Sequence, residues 1–444
     1  MAFLYGLDIP KIQDFIFSTN KLQEIIGASE LVKSIDSNLI ESLGFLQYEV
    51  VLSNAGHLRI IFDNESDVRK ILLEMPKILA SKSLEGVSAV VKFSDYKSSI
   101  KELESLLKMQ KNKPNFPLSP TLAILAHNPK TALPILANAN TDSKTIAKLN
   151  AYNDIKDSST KELSSLKNAN NKIAVIYADG NGLGKIVSSF TKSDEMKTFS
   201  SKLDFAIKEA FNIAKANYQA KLREVICGGD DLVVICNADI ALSFSERFLE
   251  AFESQTKNII NNHSLTSCVG IAFCNVKYPI SYALNLAKSL CNVAKRDSKQ
   301  INATNPPSSL MFHNIQSSVS FDFDSIAKRE LTLNGVKCDF GAYFISDIKG
   351  KANIKAFCDL VEIFRKADSP NLREWLTLLE QNRNLAQSQL KRIAKVNAKF
   401  AQDYDDKFRA LHSDLSLKNA TLITSDNKTP IFDIISIIST TKAL

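Results

Sequence analysis

The sequence predicts an α+β protein with two ferredoxin-like palm units (βαββαβ) in tandem, followed by a C-terminal helical region. Three observations carry this reading. The pattern strand, helix, hairpin, helix, strand occurs twice, and the first strand of each copy ends in an aspartate. The distance from that aspartate to a hairpin glycine is 48 residues in the first copy (Asp8 to Gly56) and 50 in the second (Asp179 to Gly229). A βαββαβ unit makes an antiparallel sheet with two helices on one face.

In the first copy, residues 3–9 read as a short buried strand, and helical periodicity covers residues 12–43. Residues 48–52 and 58–62 flank the turn Ser53-Asn54-Ala55-Gly56-His57 as a β-hairpin. A helix over 66–80 and a strand over 86–93 close the unit. The second copy has an apolar strand over 172–178 ending in Asp179, then a helix over 193–222. A hairpin over 224–236 turns at Gly228-Gly229-Asp230-Asp231, and a helix over 241–261 leads to a strand over 267–274. The expected bounds are 1–105 for a degenerate first palm, 106–170 for a proline-rich connector with one small strand pair, 171–347 for the second palm and 348–444 for the helical region. Within the last, helices are expected over 351–367, 371–382 and 385–413.

Composition narrows the class. With 45% hydrophobic and 23% charged residues over 444 positions, the chain is an ordinary globular protein. Its first eight residues lack the basic and apolar parts of a secretory leader, and no apolar run approaches the ~20 residues that span a bilayer. A cytoplasmic protein without membrane contact is expected. The seven cysteines form no Cys-x-x-Cys pair and read as reduced core residues. A net charge of +7 permits a nucleotide or nucleic-acid partner without requiring one.

The chemistry concentrates in the second copy. A strand ending in Asp179 beside a hairpin turning at Asp230 and Asp231 brings three carboxylates to one edge of a sheet. Such acids repel one another, and divalent cations with a taste for hard oxygen ligands remove that cost. Two ions, Mg²⁺ or Mn²⁺, are the usual device for in-line displacement at phosphorus. Asp179 and Asp230 are expected as the main metal ligands, with Asp231 as a third and the carbonyl of Gly180 completing a sphere. Gly228 and Gly229 allow a tight turn and close approach of phosphate. The stretch Asn181-Gly182-Leu183-Gly184 can cradle phosphates through backbone N–H groups. Downstream, Lys295 suits the β- and γ-phosphates of a triphosphate, although lysine also favours helix C-termini. A plain hairpin would also use Gly and Asp, and it is the strand-end Asp179 that tips the balance. The first copy keeps Asp8 but has Asn54 to His57 in its turn, so it is expected to be catalytically silent.

Taken together, Tyr177-Ala178-Asp179-Gly180-Asn181-Gly182-Leu183-Gly184, Gly228-Gly229-Asp230-Asp231, Val269-Gly270-Ile271-Ala272 and Ala294-Lys295-Arg296 resemble the large polymerase-like subunit of type III CRISPR complexes. Lys11 to Ile16, Gly27 to Leu31, Met311-Phe312-His313 and residues 325–330 are similar too. The resemblance implies synthesis of cyclic oligoadenylate messengers from ATP in antiviral defence, by attack of a ribose hydroxyl on an α-phosphate. ATP or another nucleoside triphosphate is the implied substrate. Guide RNA, other CRISPR effector subunits and a second copy of the chain are the candidate macromolecular partners. The chain departs from the family pattern in three ways: it has no His-Asp dipeptide of a nuclease domain, no cysteine in the connector, and Asn181 where a second acid often stands. Two other functions are open at this point. A diguanylate cyclase is opposed by Asp-Asp-Leu after the glycine pair and by Arg223 lacking the product-binding spacing. A non-catalytic RNA-binding scaffold would leave the acidic trio unused.

Overall fold

In the computed structural model the described residues are 2–54, 56–113, 122, 124–155, 162–218, 221–257, 259, 264–316, 322–366 and 372–442. They divide into two compact units. One is Met1–Ser165 with Leu183–Ile207 and Val225–Asp230; the other is Leu166–Gly182 with Lys208–Glu224 and Asp231–Leu444.

The first unit begins with β1 (Phe3–Asp8), followed by α1 (Ile12–Ile16), α2 (Leu22–Lys33) and α3 (Ser37–Ser42). One continuous helix was expected there. The chain instead breaks after Phe17 and again at Asp36, whose carboxylate caps α3 through the N–H of Leu39. The hairpin β2 (Tyr48–Asn54) and β3 (His57–Phe62), the helix α4 (Glu65–Ser81) and β4 (Val87–Lys92) follow as expected. The sheet order β2-β3-β1-β4, antiparallel throughout, is that of a ferredoxin-like fold.

The face opposite α4 is not left open. Helix α5 (Tyr96–Lys111) covers it, with Leu103 and Leu107 in a cluster with Leu4, Val51, Ile61 and Val91. Gly6 of β1 makes room, since a Cβ there would meet Leu103 at 2.8 Å. The connector adds α6 (Ser143–Asp154), which packs on α2 so closely that a Cβ at Gly27 would lie 1.8 Å from the Lys148 carbonyl. The expected strand pair reduces to one antiparallel bridge, His127 to Pro134. Pro114, Pro117 and Pro120 lie outside the described residues.

The second palm uses β5 (Lys172–Gly180), α7 (Leu183–Ser189), α8 (Ser193–Lys215), β6 (Leu222–Gly228), β7 (Asp231–Asn237), α9 (Ala241–Thr256) and β8 (Ser267–Asn275). The order β8-β5-β7-β6 repeats that of the first palm. A right-sized crossover, α10 (Ile280–Ile301), leads to β9 (Ser309–Asn314), which pairs parallel with β8 and widens the sheet. The two-residue strand Tyr343–Phe344 forms the edge beyond β9.

Among the described residues six more helices follow: α11 (Phe323–Glu330), α12 (Ile354–Lys366), α13 (Leu372–Gln381), α14 (Arg383–Val396), α15 (Ala398–Leu411) and α16 (Ile431–Thr440). The helix expected over 385–413 is two, because Asn397 leaves helical geometry with φ −102° and ψ 38°. The apolar α16 packs on α12, α13 and β9. Its Asp433 accepts hydrogen bonds from the Tyr343 hydroxyl at 2.7 Å and the Phe340 N–H at 3.1 Å.

Burial pushes the Asp433 carboxyl up to about 7. The folded chain therefore keeps a proton that the unfolded chain releases near 3.8. Stability from this group is full below that lower value and is lost as pH rises through about 7. Asp339, pushed up to about 6 by burial, adds a slope of the same sign. Asp433→Asn keeps a neutral acceptor, so urea unfolding measured across this window should show a flatter pH profile than the wild type. An unchanged profile would remove Asp433 as its source.

Candidate active site

Each palm carries an aspartate near the end of its first strand, Asp8 as the last residue of β1 and Asp179 as the last but one of β5, and the two have opposite surroundings. In the first palm Asp8 is the Cα partner of His57. His57 Nδ1 lies 2.7 Å from Asp8 Oδ1, Arg59 donates to the same oxygen at 2.8 Å, and Lys111 of α5 reaches Oδ2 at 2.7 Å. Burial alone would raise the Asp8 carboxyl, but His57, Arg59 and Lys111 together hold it far below the usual carboxylate range. Three basic groups thus occupy the one acid, and its Cα partners across the sheet, His57 and Val87, carry no carboxylate. Asp8→Ala would strand the buried Arg59 guanidinium. The expected loss of stability is roughly 3–5 kcal/mol, read by urea unfolding.

In the second palm Asp179 is the Cα partner of Asp231, so an acid stands where the first palm has His57. Lys295 of α10 lies 2.6 Å from Asp179 Oδ2 and donates to the Gly180 carbonyl at 2.8 Å. It matches Lys111: in both palms the helix after the fourth strand sends a lysine to the strand-end aspartate. The internal repeat therefore extends one helix further than the sequence pattern suggested.

Asp231 accepts a hydrogen bond from the Tyr177 hydroxyl at 2.9 Å. Burial raises its carboxyl, the neighbouring Asp179 charge raises it further, and Tyr177, Lys295 and Lys288 pull it partly back. Two acids facing each other across a strand pair, one with a raised affinity for protons, form a centre that favours added positive charge. Among the described residues no three His, Cys, Asp or Glu side chains close into a ready cation cage. The Lys295 ammonium already sits on Asp179 and Gly180, two of the groups expected to bind metal. The donors, two carboxylates and a carbonyl with Asp230 next in the chain, are hard oxygens that fit Mg²⁺ or Mn²⁺.

The other expected residues fall as follows. Gly182 has φ +71°, and Gly182 and Gly184 have no atom within 4 Å of an added Cβ, so open space lies over this part of the loop. Leu183 is buried. Asn181 is turned inward: its N–H donates to the Thr266 carbonyl at 2.8 Å and its amide to Thr266 Oγ1 at 3.0 Å. It holds the loop to the start of β8. In the other unit, Gly229 has φ +66°, and Asn54 lies over the glycine pair, 2.7 Å from a Cβ at Gly228 and 3.0 Å from one at Gly229. Asp230 follows at the turn and is itself engaged in an interaction.

Sequence reasoning missed Tyr177, Lys288 and Asn54. The first was signalled by its place two residues before Asp179, on the same face of β5. Lys288 was signalled by its spacing of seven from Lys295 on one helix face.

Comparison with known proteins agrees with this geometry. A family model described as Cas10/Cmr2, second palm domain, matches residues 172–303. The fold is similar to that of solved Csm1–Csm4 cassettes. The cassette in complex with pppApA has a TM-score of 0.59 at 14% identity, covering 99% of this chain and 69% of that chain. The cassette in complex with AMPPNP gives 0.58 at 14%, covering 99% and 70%. The Csm1–Csm4 subcomplex in the type III-A CRISPR-Csm interference complex gives 0.57 at 14%, covering 98% and 69%. Against the apo cassette the match covers 67% of this chain and 53% of that one, so the chain spans about half of that relative's length. Such identities show a shared fold. No curated protein matches the sequence. Among the described residues no helix is long and apolar enough to cross a membrane.

Proposed function

We propose that the chain is a metal-dependent nucleotidyltransferase that joins ATP into cyclic oligoadenylates within a type III CRISPR defence system. The observation that carries this reading is Asp179 facing Asp231 at the strand ends of a Cas10-type palm, with Asp230 adjoining. The choice of adenylate rests on the solved relatives, since Csm1–Csm4 cassettes have been determined with one ATP, with cA4 and with cA3.

Asp179, Asp230, Asp231 and the Gly180 carbonyl would hold two Mg²⁺ or Mn²⁺ ions. Bound there, such ions activate an attacking hydroxyl and steady charge on the leaving pyrophosphate. The chain's own groups do the rest. Gly182 to Gly184 leave the loop open to phosphate oxygens, and Gly228 and Gly229 add no side chain of their own to the turn under Asn54. Lys295, which rests on Asp179 and the Gly180 carbonyl, would supply positive charge to the triphosphate. The first palm, with Asp8 locked by three basic groups, contributes no chemistry. Other CRISPR effector subunits and guide RNA are the proposed partners, and the cytoplasm the proposed location.

The test is incubation of the purified chain, alone and with effector subunits and target RNA, with each labelled nucleoside triphosphate and Mg²⁺ or Mn²⁺. The expected result is pyrophosphate and cyclic oligoadenylate from ATP. A cyclic dinucleotide from GTP would instead mark a diguanylate cyclase. Absence of product in the assembled complex would leave a scaffold.

A further inference from the structure

We infer that Tyr177 is a positioning residue for Asp231, its hydroxyl holding one carboxylate oxygen so that Asp231 can share a cation with the neighbouring acids. This rests on the metal-dependent reading of the site. Tyr177 lies opposite Val233 on β7, which places Asp231 on the diagonal of the same sheet face. The phenol donates to Asp231 Oδ1 at 2.9 Å, and the residue is 9% exposed. The Lys288 ammonium of α10 stands over the ring, 6.0 Å from its centroid.

The chemistry of the donor matters. An ammonium on Asp231 would cancel the charge that a metal needs, as the basic groups on Asp8 do. A neutral hydroxyl orients the carboxylate and leaves its charge available. The silent palm supplies an internal comparison: two residues before Asp8 stands Gly6, with no hydroxyl to offer, and opposite Asp8 stands His57. The active-looking palm differs at both places at once.

Tyr177→Phe keeps the ring and removes only the donor. Binding of Mn²⁺ by the full chain, followed by electron paramagnetic resonance with a non-hydrolysable ATP analogue present, should weaken about 10–100-fold, the usual cost of losing a partner to a metal ligand. Turnover should fall by a similar factor at limiting Mn²⁺ and recover at high Mn²⁺, with KM for the nucleotide little changed. Tyr218→Phe, which removes a tyrosine hydroxyl bonded to Ser243 in the same unit, should change neither. Mn²⁺ affinity within about threefold of wild type in Tyr177→Phe, while Asp179→Ala abolishes binding, would overturn the inference alone. A wild type with no Mn²⁺ binding that Asp179→Ala removes would overturn it together with the metal-dependent reading.

Discussion

Asp179→Ala is expected to reduce pyrophosphate release by on the order of 10²–10³-fold or more, about 3–4 kcal/mol of transition-state stabilisation, while leaving the fold intact. The two halves of this result have separate physical grounds. Asp179 is the Cα partner of Asp231 and pairs with Lys295, so its loss removes one carboxylate of the proposed cation centre. The fold loses little, because the Asp179 side chain is 25% exposed and its pair with Lys295 is a partly solvated one. Removing it also relieves the repulsion felt by Asp231. Thermal unfolding should therefore shift by no more than a few degrees. This contrasts with Asp8→Ala in the first palm, where a buried guanidinium is left unpaired. Retention of a tenth or more of wild-type activity by Asp179→Ala would contradict its assignment.

Gly270→Ala is expected to be strongly destabilising, at roughly 3 kcal/mol or more by urea unfolding. Gly270 pairs with Tyr177 on β5, and α10 crosses directly over it. A Cβ there would lie 1.9 Å from the Ala287 carbonyl oxygen and 2.5 Å from the Cys291 nitrogen. Those are backbone atoms, and no rotamer change moves them. Helix and strand must separate, and α10 carries both Lys288 and Lys295. Any folded remainder should therefore also be impaired in turnover. Gly184→Ala is the control: with no atom within 4 Å of the added Cβ and no positive φ, it should leave stability within about 1 kcal/mol. Equal stability for the two variants would show that α10 does not rest on Gly270 as described.

Both palms were legible in the sequence because their strands are short apolar runs punctuated by turns and their spacing repeats. The acids were legible as residues but not as a pair. Nothing in Gly-Gly-Asp-Asp says which aspartate faces Asp179; that depends on hairpin register, and the structure gives the place to Asp231. For Lys295 the sequence left a helix-end role and a phosphate role open. A third role, a cation resting on Asp179 and Gly180, emerges only when α10 is laid on β5. Helix α5 was unread, and the expected boundary at 105 falls inside it, because amphipathicity does not reveal which sheet face lacks a cover. Strand β9 was unread because six apolar residues look alike in strand and helix, and its parallel partner is reached only through α10. The break at Asn397 turned on a single residue's dihedral angles, to which hydrophobic periodicity is blind.

The central claim is that the second palm gathers cations where the first palm is closed by its own basic side chains. Anomalous diffraction at the manganese edge, from crystals of the chain with Mn²⁺ and a non-hydrolysable ATP analogue, tests it most directly. The expected map has metal density touching the Asp179 and Asp231 carboxylates, the Lys295 ammonium drawn away from Asp179, and nothing at Asp8. Nucleotide bound with no metal at Asp179, or Lys295 still seated on that carboxylate, would contradict it.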